Sequence, residues 1–308
     1  MLSRNAICIV VDGLRASALG TYGNTWYGTP ALDQFAAQSI VAEWMLAGGP
    51  ELESFYREAW DGVHALRSGK SIACSEALAD ALPLPLRLAS AGLHQTLVTD
   101  DLWLDRHAGQ MSVEQHLWDI HWLDTGTSQP AQDIVDTALG QVFAAAIERF
   151  ESWQSNRCEG RCQSEGERPS GGGNLLWLHA SGMQGPWDAP EVMRWQLVEE
   201  DSMQPPTWVT PPLRETGDDP DQWQEMKIAY AAQAMVLDTC LGALLSAVDE
   251  MIDPPLVMLI GSRGFALGEH GCAGSECRDL YGELLHVPWL LRVPGVAGES
   301  PPRFTGLT

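Results

Sequence analysis

The stretch Ile7-Cys8-Ile9-Val10-Val11-Asp12-Gly13-Leu14-Arg15 decides how this sequence folds. Five apolar, mostly β-branched residues run without a polar interruption and end on an acid. A half-solvated strand would alternate apolar with polar, so the unbroken run predicts a parallel strand buried on both faces. Leu256-Val257-Met258-Leu259-Ile260 repeats the pattern, with Ser262 and Arg263 just beyond it. Leu97-Val98-Thr99 and Leu175-Leu176-Trp177-Leu178 are two more strand candidates, and helical stretches fall at 131–150 and 223–251. Strands alternating with long helices predict an α/β fold, a largely parallel central sheet with helices on both faces. Ligands of such sheets sit beyond the carboxyl ends of the strands, where Asp12 and Ser262 are expected. The alternative reading of Asp12 is a cap on the next helix.

Composition narrows the partners. The 308 residues suffice for one large domain, 1–308, with the Gly- and Ser-rich stretch 152–174 expected as an exposed, flexible insertion. Forty-one acidic residues against eighteen basic ones give a formal charge of −23. That charge opposes nucleic acid and anionic membranes, and it repels sulfate and phosphate esters unless a local cation focuses the field. No apolar run in the sequence approaches the roughly 20 residues of a membrane span, and no charged-then-apolar leader precedes the first strand. Seven cysteines, an odd number, suggest reduced thiols and hence a cytoplasmic location. The thirteen tryptophans, among them Trp177, Trp187, Trp195, Trp208 and Trp223, are expected in the core or beneath long loops, with a carbohydrate-stacking platform as the alternative.

Other patterns carry little. Cys158, Cys162, Cys272 and Cys277 lack the two-residue spacing of zinc ligands, and no histidine pattern completes such a site. Arg67-Ser68-Gly69-Lys70-Ser71 resembles the end of a phosphate-binding loop, but His64 stands where that loop needs glycine. His64, His270 and His286 are isolated in sequence.

Four blocks taken together are more specific. The first strand with Asp12 is followed by Leu19-Gly20-Thr21-Tyr22-Gly23 and Thr29-Pro30-Ala31-Leu32-Asp33. Later come Ala229-Tyr230, Val236-Leu237-Asp238, Leu241-Gly242, and Gly264-Phe265-Ala266-Leu267-Gly268-Glu269-His270-Gly271. Leu280-Tyr281-Gly282-Glu283 and Val287-Pro288-Trp289-Leu290-Leu291-Arg292-Val293-Pro294-Gly295 close the series. In this order the blocks resemble the sulfatase family of the alkaline-phosphatase-like superfamily. The resemblance covers most of the chain and implies that family's sandwich of helices about a largely parallel sheet. The end at 303–308 resembles the point where relatives continue into another helix and a smaller sheet, so the carboxyl-terminal subdomain is expected to be largely absent.

The resemblance also implies a catalytic set, and this sequence departs from it throughout. Active sulfatases hold calcium with paired acids after the first strand and an Asp with Asn or His after a later one. Calcium needs about 6 to 8 oxygens. Here the first pair reads Asp12-Gly13 and the later pair Ser262-Arg263, which leaves Asp12 as a vestigial metal ligand and opposes it with a guanidinium. The family's Cys-x-Pro-Ser-Arg nucleophile motif is missing from the chain, and counting back ten residues from Gly69 places Ala59 at the nucleophile position. Gln184-Gly185-Pro186 stands where the family has His-x-Pro. His179 is expected to be a hydrogen-bonded core residue. An unpaired buried carboxylate is costly, so an Asp12 to Arg263 ion pair is expected in place of the cation.

These substitutions predict a sulfatase-like chain without a catalytic residue, related to sulfuric ester hydrolases but acting as a binding pseudoenzyme. Gln184, Arg263 and His270 remain to touch a small sulfated or phosphorylated ligand or a protein partner. No cofactor is expected, or Ca2+ if the family site is partly kept. The alternatives are an active sulfate or phosphate ester hydrolase with an atypical metal site, and a purely structural, complex-forming protein.

Overall fold

The computed structural model describes residues 5–64, 82–115, 117–159, 172–198, 204–213, 215–217, 219–277, 279–295 and 303–307. Its centre is a sheet whose first strand, β1 (Ala6–Val11), is buried on both faces as its apolar run requires. Alternation along β1 sends Ile7, Ile9 and Val11 to one face and Cys8 and Val10 to the other. Two helical layers cover those faces. On the first lie α1 (Pro30–Ala37), α5 (Ala138–Glu159) and the 30-residue α7 (Pro220–Asp249), packed on Leu176, Leu178, Val257 and Leu259. On the second lie α2 (Leu52–Asp61), α3 (Leu84–Ser90) and α4 (Leu102–Gln115), closed around Tyr56, Trp60, Trp118 and Trp177.

Among the described residues nine strands make the main sheet. Beside β1 on one side lies β7 (Leu256–Gly261). On the other lie β5 (Asn174–Ala180), β3 (His94–Thr99) and β4 (Asp119–Trp122), all parallel. Antiparallel β11 (Trp289–Arg292) follows β7, then β2 (Ile40–Leu46), against which short β10 (His286–Val287) and β12 (Arg303–Leu307) pair. A second, three-stranded sheet of β6 (Glu215–Thr216), β9 (Cys272–Gly274) and β8 (Ala266–Leu267) stands apart from this path. Two short helices, α6 (Glu191–Trp195) and α8 (Gly282–Leu285), complete the described α-helices. The α/β architecture expected from the sequence is therefore the one observed, with the strand candidates lengthened by a residue or more.

Local departures have identifiable causes. Helix α5 starts at Ala138, not 131, because Asp188 accepts the Ala138 N–H at 2.7 Å and Thr137 Oγ1 accepts that of Gly140, fixing the first turn there. It also continues to Glu159, so the first part of the stretch expected as a flexible insertion is helical. Residues 160–171 of that stretch lie outside the described residues. Among the described residues α7 is long and apolar enough to cross a membrane, contrary to the reading of the sequence, but 67% of its most apolar window is buried within the fold. Its Asp238 accepts the N–H groups of Leu32 (2.8 Å) and Ala31 (3.3 Å) at the start of α1, which joins two of the sequence blocks. Arg194, 1% exposed, donates to the carbonyls of Trp187, Ala189, Pro206 and Trp208 and so ties down the loop that crosses the first face.

Candidate functional site

Strand register builds the site. Val11 pairs with Gly261 of β7 and Ala180 of β5, so the next residues on the three strands, Ser262, Asp12 and Ser181, stand side by side at the carboxyl rim. One strand further, Thr99 pairs with His179, which sets Asp100 on the same rim. Gly13 must follow Asp12. Its φ is 75°, and a Cβ there would lie 2.8 Å from the Gln184 backbone nitrogen.

Asp12 is 2% exposed and fully engaged. Arg263 donates from Nε to Oδ1 and from Nη2 to Oδ2, both at 2.8 Å, and the Ser262 hydroxyl donates to Oδ1 at 2.7 Å. This two-pronged geometry is the strong form of an arginine–carboxylate contact. Burial by itself pushes the Asp12 carboxyl up, but the guanidinium and its hydrogen bonds outweigh burial and the net shift is down. Burial pulls Arg263 down in the same way, and the Asp12 charge more than reverses it. Both partners thus favour the charged pair, and the ion pair anticipated from Asp12 and Arg263 is present.

The third guanidinium contact runs from Nη1 to the Pro50 carbonyl at 3.0 Å. Pro50 belongs to the loop Ala47-Gly48-Gly49-Pro50 between β2 and α2, so this loop approaches the pair with two glycines and a carbonyl. Ala59 is elsewhere. It sits near the end of α2, about 10 Å along the helix from Leu52, packed against the aromatic cluster of the second face. Gly69, from which the position was counted, lies outside the described residues.

His179, wholly buried, shares a 2.8 Å hydrogen bond through Nδ1 with the Tyr56 hydroxyl, which itself receives the Trp177 indole N–H at 3.2 Å. Among the described residues His179 Nε2 has no partner. Histidine as a core residue is what the sequence suggested; its tyrosine was not legible, being 123 residues away. Asp100 accepts the Ser181 N–H at 2.8 Å and the Thr125 hydroxyl at 3.2 Å, yet burial dominates and raises its carboxyl.

The other expected contacts separate. Gln184 lies beside Gly13 and donates from Nε2 to the Ser275 hydroxyl at 2.8 Å, leaving Oε1 buried and, among the described residues, without a partner. His270 turns outward in a left-handed conformation (φ 59°), stacks on Tyr281 at 3.9 Å and faces Glu283 at 3.7 Å. Its neighbour Glu269 points inward instead, pairing with Arg15 at 2.8 Å and accepting the Leu267 N–H at 2.6 Å. That pair joins the first and last sequence blocks.

Ser275 and Glu276 are carried by a loop that the Cys272–Cys277 disulfide closes. These two cysteines therefore depart from the expectation of reduced thiols, whereas Cys8 and Cys240 are free and buried. The pairing was hidden because nothing in sequence says that Cys272 ends up in a strand facing the return of its own loop.

A divalent cation does not fit this rim. Both Asp12 oxygens are occupied by donors, Ser262 offers one hydroxyl, and a guanidinium covers the carboxylate where calcium would require several further oxygens. Among the described residues no group of three His, Cys, Asp or Glu could hold a metal.

The fold is shared with solved structures. The phosphonate monoester hydrolase of Agrobacterium radiobacter superposes with a TM-score of 0.62 at 15% identity, over 99% of this chain and 71% of that one. The chain has the alkaline-phosphatase-like fold. The soluble domain of lipooligosaccharide phosphoethanolamine transferase A from Neisseria meningitidis matches with a TM-score of 0.61 at 14% identity over 96% of this chain and 77% of that one. A 2-O GAG sulfatase matches with a TM-score of 0.62 at 13% identity over 98% and 67%. At such identities the likeness concerns the alkaline-phosphatase-like fold alone. No family model matches the chain, and no curated protein does.

Proposed function

We propose that this protein binds a ligand at the rim of an alkaline-phosphatase-like fold without hydrolysing it. The observation that carries the reading is the Arg263 guanidinium seated on the Asp12 carboxylate. It satisfies the buried acid that a metal-dependent relative would devote to a cation, and it occupies the space in which that cation would polarise an ester. The loop Gly48-Gly49-Pro50 brings no hydroxyl or thiol to the pair, which supports the same reading. Arg263 retains guanidinium N–H groups that neither Asp12 nor Pro50 consumes, and Gln184 lies against Gly13, the residue after Asp12. These two groups face the ligand, a small sulfated or phosphorylated molecule or a protein surface. His270 takes part only through a partner large enough to reach the outer surface, where it stacks on Tyr281.

The test is metal content of the purified protein, melting in calcium and in chelator, and turnover of 4-nitrophenyl sulfate, 4-nitrophenyl phosphate and a phosphonate monoester. The expected result is no stoichiometric metal, identical melting curves and turnover at the buffer rate. A stoichiometric divalent ion whose removal lowers the melting temperature, or turnover abolished by Asp12→Ala, overturns the proposal in favour of an active hydrolase.

A further inference from the structure

A cavity of about 150 Å³ lies on the other side of the sheet from α2, walled by Arg15, Trp26, Tyr27, Lys227, Tyr230 and Glu269. Its position relative to the rim follows from Tyr230. This α7 residue belongs to the first-face core, donates to the Gly13 carbonyl at 2.9 Å and accepts the Arg15 N–H at 3.2 Å. Asp12 and Arg263 instead meet Pro50, which leads into the second-face helix α2. The segment 13–15 therefore separates the two sites.

The cavity is rich in donors and poor in free acceptors. Among the described residues Lys227 has no ion-pair partner, and the Tyr27 hydroxyl and Arg15 Nη2 make no hydrogen bond. Arg15 spends Nε on Ser17 and Nη1 on Glu269 and the Phe265 carbonyl. Glu269, the one acid in the wall, is taken up at Oε1 by Arg15 and at Oε2 by the Leu267 N–H. Two cations against one acid leave a local excess of one positive charge in a chain whose formal charge is −23. Exposed acids beyond about 8 to 10 Å are screened at physiological salt, so the nearby charges decide what enters.

Shape supplies the rest of the recognition. Trp26 is 47% exposed and meets Tyr27 edge to face at 5.8 Å, so an indole face is left for a ring to lie against. Drug-sized ligands need roughly 300 Å³ or more, so a cavity half that size admits one ring and its substituent. We propose that this cavity binds a carboxylate carried on a single ring, its charge between Lys227 and the free edge of Arg15 and its ring against Trp26. The site stands independently of whether the Asp12 rim hydrolyses anything.

Sugar and aryl rings are two sources of that chemistry, and calorimetric titration separates them. Glucuronate is compared with glucose, and benzoate with benzamide, on the wild-type protein and on Lys227→Gln, Lys227→Arg and Trp26→Ala. Melting curves of the three variants are taken first, and because both side chains are partly exposed they should match wild type. At least one carboxylate is expected to bind tenfold or more tighter than its neutral counterpart. Lys227→Gln should abolish that preference, Lys227→Arg should keep it, and Trp26→Ala should weaken the bound ring whatever its charge. Equal binding of both members in both pairs, no binding of any of the four, or a preference that survives Lys227→Gln overturns the proposal.

Discussion

Replacing Arg263 by alanine should be among the most damaging single changes in this protein. The substitution removes both 2.8 Å hydrogen bonds to Asp12 and leaves a carboxylate that is 2% exposed with only the Ser262 hydroxyl. Breaking a buried pair from one side typically costs about 3–5 kcal/mol, because the remaining charge stays buried without its partner. For a chain of 308 residues that corresponds to a fall in melting temperature of about 5–8 °C, read by scanning calorimetry at pH 7. The pH dependence gives the sign. In the wild type the Asp12 carboxyl is held below its ordinary value, so its stabilisation is fully present above about pH 4 and disappears as pH falls through the folded-state value. In the variant burial is no longer outweighed by the guanidinium, the carboxyl rises, and its penalty is relieved as pH falls through that raised value. The gap between the two melting temperatures should therefore begin to narrow above about pH 4 and narrow further below it, where the wild type loses its own stabilisation. Adding Asp12→Asn to Arg263→Ala should recover much of the loss, since no charge then remains unpaired. A single variant that melts within about 2 °C of wild type at pH 7, or a double variant no better than the single, would refute the idea that the guanidinium neutralises a buried acid.

Three further outcomes follow from other parts of the fold. Reducing the Cys272–Cys277 disulfide should lower stability by about 2 kcal/mol, toward the small end for so short a loop, and a Cys272→Ala/Cys277→Ala protein should show no additional change with reductant. Arg194→Met should cost about 3 kcal/mol or more in denaturant titration, because the carbonyls of Trp187, Ala189, Pro206 and Trp208 lose their shared donor while buried. Asp100 has the opposite sign from Asp12. Its carboxyl is raised by burial, so its contribution is present at low pH and lost as pH rises, and Asp100→Asn should be at least as stable as wild type at pH 7 and lose that advantage near pH 4. A fall of several degrees at pH 7 would mean that the charged form is needed to hold Ser181.

The sequence by itself determined the sheet. Unbroken apolar runs at Ile7–Val11 and Leu256–Ile260 leave a chain no choice but to bury both faces of each strand, and long helices between them supply the cover. It also determined that Asp12 and Arg263 end such strands, from which their pairing could be anticipated. Adjacent parallel strands bring their carboxyl ends together, and one acid meeting one cation there has a single low-energy solution. What only the tertiary structure decided are contacts set by packing between distant segments. Local pattern does not encode the turn that takes His270 outward and Glu269 inward to Arg15, the fold of the 272–277 loop that joins its two cysteines, or the helix that places Tyr56 on His179. The donor-rich cavity beside Lys227 belongs with these. It gathers residues 15, 26, 27, 227 and 269, which are neighbours only because α7 and the segment after β1 share one face of the sheet. Burial on a strand is a property of a few consecutive residues and is written where it acts. The direction of a side chain at a loop depends on every element packed around it.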